Sequence, residues 1–300
     1  MPKRFQLYQH PWLGMLTVML TWVVFLFIFI IVANYPLKLP PGSQKSLFFT
    51  NLLAHITLLF VLVPFVLRLP SGKQSYQAYL DSIRLSHVRP FLQLLLLALS
   101  CYLIQALCQA VGVLVYRALQ GLPFTWTSFR VTFEWTNLVP SDTWSWLNPL
   151  PSIFEEVTFR GVILSLFLTR YSKSQAILFT ALGFGAMHLL NLASDRETVW
   201  VLGQFIWSAI FGLFYGILVL KANSLWPAML IHYLGNLFIE PITGYLQHAA
   251  SVEIQTLYGI IFFFGIVPTT LMILWTLLYS KIWPMPVPKM KIMEEAFVEE

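Results

Sequence analysis

The sequence predicts an all-α fold: a polytopic transmembrane helix bundle of about eight spans. Two observations carry that expectation. Of the 300 residues, 58% are apolar and only 10% charged, and the mean hydropathy is +0.72. A soluble domain carries about 25% charged side chains, so a water-facing surface cannot be covered with what is present. That excludes a soluble enzyme and a disordered chain. The second observation is the recurrence of apolar runs near the ~20 residues that a helix needs to cross a ~30 Å hydrocarbon core.

The runs are Leu13–Ala33, Ser46–Leu67, Pro90–Tyr116, Ser152–Leu168, Ser174–Leu192, Val199–Leu220, Leu225–Gln247 and Ile254–Leu278. The first is too long for a signal-peptide core and lacks a small-residue cleavage site, so it reads as a retained anchor. Between the second and third runs, Tyr76, Tyr79, Leu80 and Ile83 recur at helical spacing within Ser71–Arg89. They predict a short helix lying on the inner surface. The connection Arg117–Pro151 holds Trp126, Trp135, Trp144 and Trp146. Tryptophan favours the headgroup level, so this segment is expected to rest on the membrane, as an anchor or as a cover over a site. The tail Trp283–Glu300, with three prolines and four glutamates, is expected to be mobile. Cys101 and Cys108 fall on one run, ~10 Å apart along a helix, and read as packed thiols rather than a disulfide. No repeat relates the two halves.

Basic residues set the orientation. With the N-terminus in the cytoplasm, twelve of the 18 Lys and Arg residues fall on the inner side and five outside, with Arg160 left within the membrane. That bias predicts an even number of spans with both termini inside. Nothing in the sequence suggests a eukaryotic origin, and a bacterial inner membrane is the expected location. The net charge of +5 is small and scattered, with no basic patch for nucleic acid.

Charged groups in hydrocarbon cost ~2.5 kcal/mol or more each on insertion scales and point to function. Here they sit in the second half of the chain: Glu155, Glu156 and Arg160 in the fourth run, Phe184 and His188 in the fifth, His232 and Asn236 in the seventh. Glu156 and Arg160 are four apart and share a helix face, so they can pair. Glu155 is turned ~100° away and needs a donor from another helix. His232 and Asn236 share a stripe, and Gly183 and Gly185 allow a neighbour to approach closely. A carboxylate, two imidazoles and an amide suit water activation and oxyanion stabilisation. Each is equally a candidate for ordinary interhelical contact, the reading given to the pairs Asn51/His55 and Gln105/Gln109.

At these positions the sequence resembles the CPBP (Abi) intramembrane proteases, the family of type II CAAX prenyl endopeptidases and of bacterial proteins linked to bacteriocin processing and immunity. Three motifs in order carry the resemblance: EEVTFR (Glu155–Arg160), FGAMH (Phe184–His188) and HYLGN (His232–Asn236). It implies Glu155 as the catalytic carboxylate, His188 as its partner on water, His232 and Asn236 as the oxyanion pair, and Glu156, Arg160 and Phe184 as structural support. The implied organisation is a three-span region over 1–150, a protease core over 151–250, and a last span with its tail over 251–300.

The expected chemistry is hydrolysis of a peptide bond in a membrane-associated peptide or protein, lipidated or not, without a covalent intermediate. The expected partners are that substrate and the bilayer. No cofactor is favoured. Zinc is the alternative, with Glu155, His188 and His232 as ligands and a fourth position for water. Two rival functions remain: a non-catalytic immunity or scaffold protein of the same fold, and a proton-coupled transporter. Counting along the runs raises one difficulty. Glu155 and His188 fall near the outer surface, whereas His232 falls ~10 Å deeper.

Overall fold

The computed structural model describes residues 6–119, 121, 125–127, 142–147, 149–193, 198–239 and 265–285. Every regular element among them is a helix. Helix α1 (Pro11–Asn34) opens on a proline, whose missing N–H would have had no helical partner. Helix α2 runs from Gln44 to Leu67. Ser43 caps it, and its second half, which holds Pro64, is wound in wider π turns. A short α3 (Tyr76–Ser82) and the long α4 (Phe91–Leu119) follow. After α5 (Thr143–Leu147), helix α6 passes from Leu150–Glu156 through π turns over Val157–Ile163 into Leu164–Phe167. Helix α7 (Lys173–Met187) starts with a Ser172/Gln175 capping box and tightens to 3₁₀ turns over His188–Ala193. Helix α8 is Thr198–Ala222. Helix α9 is Trp226–Leu234, widening to π turns over Gly235–Ile239, and α10 is Val267–Ile282.

Five of these helices are long and apolar enough to cross a bilayer: Pro11–Asn34, Gln44–Leu67, Phe91–Gly112, Lys173–Ala193 and Thr198–Ala222. The chain is an all-α membrane bundle. The fourth predicted run is the shorter α6. The seventh and eighth are α9 and α10, with residues 240–247 and 254–264 outside the described part. The expected mobile tail lies largely outside it too, as does Trp135.

Helix α6 forms the centre. Every residue from Glu156 to Phe167 is buried. Helix α1 reaches it through Gly14, where an added Cβ would meet Leu166 at 2.5 Å, and reaches α7 through Met15, whose Sδ lies 2.8 Å from the Cβ position of Gly183. The α7–α8 pair is packed backbone to backbone. A Cβ on Gly185 would stand 2.6 Å from the Phe205 carbonyl oxygen, and one on Gly212 2.8 Å from the Ala181 Cα. Without a hydrophobic drive between helices in lipid, such close approach supplies the packing.

Helices α4 and α10 run antiparallel. Tyr279 Oη donates to the Gln93 carbonyl (3.0 Å), Trp275 Nε1 donates to Ser100 Oγ (2.7 Å), and Cys101 Sγ lies 3.7 Å from Thr276 Oγ1. Both cysteines are free thiols.

Two local expectations are sharpened. The short helix predicted within Ser71–Arg89 is α3, and its apolar face does not stand free. Tyr79 and Ile83 are fully buried, Tyr79 Oη donates to the Leu59 carbonyl at 2.6 Å, and burial holds this phenol above its usual range. Tyr and Ile at i,i+4 here make a plug, a pattern that cannot be told from a lipid-facing stripe by spacing alone. The Asn51/His55 pair is not polar glue between helices either. Asn51 Nδ2 donates to the Leu47 carbonyl and His55 Nδ1 to the Asn51 carbonyl, both within α2.

The loop after α3 ties two other helices together. Arg84, in the left-handed region at φ 61°, donates from Nη1 to Ser165 Oγ at 2.8 Å at the end of α6. Its carbonyl accepts from Leu225 N. His87 Nδ1 donates to the Asn223 carbonyl, Ser224 Oγ to the His87 carbonyl and Trp226 Nε1 to the Leu85 carbonyl. The start of α9 and the end of α6 are thereby fixed to one segment.

Candidate active site

That clamp resolves the depth difficulty. Seven residues of α9 lead from Leu225 to His232, ~10 Å of rise, and nine of α6 lead back from Ser165 to Glu156, ~13 Å. The two residues therefore meet at one level inside the bundle.

Glu156 and Arg160 are both fully buried, with Arg160 Nη1 donating to Glu156 Oε1 at 3.0 Å. The guanidinium carbon stands 4.1 Å from the Phe184 ring centroid and 5.1 Å from that of Tyr215. Two aromatic faces thus cover the cation while the carboxylate neutralises it. Phe184 also packs edge-on against Phe159, His188 and His232.

His232 turns toward Glu156. Its Nδ1 lies 2.7 Å from Glu156 Oε1, so Nδ1–H donates to the carboxylate, and Tyr215 stacks on the ring at 5.4 Å. Its Nε2 then faces Glu155 Oε2 at 3.9 Å. That is too long for a hydrogen bond, yet one small reactant can touch both atoms. Glu155 is 22% exposed where Glu156 is sealed, so the two adjacent carboxylates occupy different environments, as their ~100° separation demands.

His188 donates from Nδ1 to the Phe184 carbonyl at 2.9 Å, which leaves Nε2 as the ring's acceptor in the neutral form. It lies within Coulombic reach of Glu155, His232 and Arg160. Asn236 follows His232 by one turn on the π-wound end of α9 and makes no hydrogen bond to Glu155, His188 or His232 among the described residues. Glu155 and His232 are therefore brought together, His188 lies within electrostatic range of both, and Asn236 follows His232 by one turn.

Sequence reasoning missed two contributors. Tyr215 is buried against His232 and Arg160, but an aromatic residue in an apolar run gives no signal. His55 of α2 stacks on Phe154, the neighbour of Glu155, at 5.2 Å. Tyr233 Oη donates to the Trp146 carbonyl of α5, whose indole meets Phe238 edge-on. This is the described part of the expected tryptophan-bearing segment near the site.

Residues 143–238 match the family model for type II CAAX prenyl endopeptidase Rce1-like proteins. This segment is CAAX-protease-like. No curated protein and no solved structure shows significant similarity to the chain. The matching segment spans α5 to α9 and about a third of the chain, and contains all three motifs. A protease family implies a peptide or protein substrate.

Catalytic zinc sites present three protein ligands. Among the described residues, no three His, Cys, Asp or Glu side chains come close enough together to hold a metal ion. The Glu155, His188 and His232 set does not fit zinc as it stands.

Proposed function

We propose that the protein is an intramembrane endopeptidase that hydrolyses a peptide bond of a membrane-associated peptide or protein, with Glu155 as the base. The observation that carries this reading is the 3.9 Å gap between Glu155 Oε2 and His232 Nε2, beside a histidine whose Nε2 is an acceptor, in a CAAX-protease-like segment.

In the proposed reaction a proton on His232 Nε2 leaves the set Arg160⁺, Glu156⁻, His232⁺, Glu155⁻ neutral, the arrangement that a low-dielectric interior favours. Glu155 takes a proton from water as the water oxygen bonds to the scissile carbonyl carbon. The negative charge gathers on the carbonyl oxygen, where His232 Nε2–H and the Asn236 amide donate to it. His188 Nε2 accepts the water's other hydrogen bond and orients it. Collapse of the tetrahedral species breaks the C–N bond, and the proton held by Glu155 passes to the leaving amine, with His188 as the relay. Glu156 and Arg160 touch no reacting atom; Glu156, held by Arg160, fixes the orientation of the His232 ring through Nδ1.

The proposed setting is a bacterial inner membrane with both termini in the cytoplasm. Protease protection of terminal tags tests that orientation. The reaction is tested with the full chain in nanodiscs and a quenched-fluorescent pool of myristoylated ten-residue peptides. Glu155→Gln and His188→Ala are expected to lose activity by about 10²–10⁴-fold with undiminished yield. A fully active Glu155→Gln protein overturns the assignment. Activity that survives strong chelation supports the metal-free reaction; loss restored by zinc overturns it.

A further inference from the structure

The reaction uses nothing from α4, yet α4 carries two buried amides on the side that faces the site. Gln105 and Gln109 are 6% and 5% exposed, and the side-chain oxygen of each is sealed with no hydrogen-bond partner among the described residues. Unmade acceptors are destabilising in a protein interior, and neither amide is used to join helices. Gln105 abuts Gly235, where an added Cβ would lie 3.4 Å from its Nε2. Gly235 directly precedes Asn236 and lies three residues after His232. Thr269 of α10 is also buried, with an unpartnered hydroxyl. The antiparallel α4–α10 register brings it to the level of the two glutamines. Three polar groups thus continue the polar surface outward from Asn236.

Their spacing has a meaning. Four residues of helix advance ~6 Å. Alternate N–H groups of an extended chain, which point to one side, recur every ~6.7 Å. Both oxygens can therefore accept from one edge of one strand, and a free terminal amide torsion lets each turn to do so. We propose that Gln105 and Gln109 form a rail that binds the backbone of an extended peptide substrate, holding it across His232 and Asn236. The proposal rests on the proteolytic reading. Because it reads main chain, the rail selects conformation rather than sequence.

The test uses the full-length Glu155→Gln protein in nanodiscs, so that binding is measured without cleavage. The probe is the tightest-binding member of the labelled, myristoylated peptide pool, synthesised with single backbone N-methyl groups. N-methylation at alternate residues is expected to weaken binding about tenfold, with little effect at the residues between. Adding Gln105→Leu and Gln109→Leu is expected to weaken the unmethylated probe similarly and to abolish the alternation. If the methylation pattern persists in the double variant, or methylation has no periodic effect, the rail is wrong. The methylation series on unsubstituted glutamines decides the matter even if the double variant fails to fold. Failure of every pool member to bind Glu155→Gln overturns the proteolytic reading as well, whereas tight binding without periodicity overturns the rail alone.

Discussion

Two neighbouring glutamates with identical side chains sit in opposite environments, and the proposed division of work between them follows from that difference. Glu156 is sealed, paired with Arg160 and bonded to His232. Removing it strands a buried guanidinium, so Glu156→Ala is expected to cost about 3–5 kcal/mol of stability, read as low yield and a lower melting temperature. Glu155→Gln is expected to leave both unchanged. Tyr215 separates packing from polarity. Tyr215→Phe keeps the ring on His232 and is expected to be near neutral, whereas Tyr215→Leu removes the stack and is expected to reduce activity. The Glu156–Arg160 pairing was legible because four residues make one helical turn. The loyalty of His232 to Glu156 rather than to Glu155 was not, because it depends on how α9 is rotated against α6, and nothing in a linear sequence encodes that angle.

Among the elements, the α7–α8 pair is the most sensitive to bulk. Gly185→Ala sets a methyl 2.6 Å from a backbone carbonyl, which cannot move aside as a side chain would. Overpacking of this kind costs about 1–3 kcal/mol. A thermal melt is expected to report that loss, and His188, three residues on, should shift with it and lower activity. Helix α5 has a different dependence. Asp142 caps it, accepting from the backbone of Ser145 and Trp144 and from the Ser145 hydroxyl, and these donors, the Ser145 N–H first, hold its carboxyl below the usual carboxylate range. A depressed acid stabilises the folded form above its ordinary value and loses that contribution as pH falls through the lowered one. Hydrogen exchange over Thr143–Leu147 is expected to quicken only on strong acidification, and at all pH values in Asp142→Ala. The existence of most helices was readable from apolar runs. The burial of α3 was not, since Tyr79 and Ile83 present the same spacing whether they face lipid or core.

At the scale of the whole molecule, the motif-free N-terminal half holds the motif-bearing half in shape. Helix α1 packs on α6 and α7 at Gly14 and Met15, and His55 of α2 supports Phe154. The all-α membrane class followed from composition. These contacts did not, because residues far apart in sequence meet here without any polar signature. Arg84→Ala is expected to reduce both melting temperature and activity, because its guanidinium secures the C-terminal end of α6. Ser165→Ala, which removes the acceptor for Arg84 and the donation from Ser165 Oγ to the Ser82 carbonyl while keeping the guanidinium, is expected to act the same way. Activity intact in both, with stability lowered, would separate anchoring from alignment.

The stretch from Ser82 to Val88 acts as a jig. The carboxylate and the imidazole ride on rods of different length, and their gap is set where both rods are bolted to this stretch, outside the CAAX-protease-like segment. A chimera that transplants residues 143–238 alone into another scaffold would carry every motif and still lose its calibration, so the smallest portable unit of this chemistry begins upstream, at the jig itself.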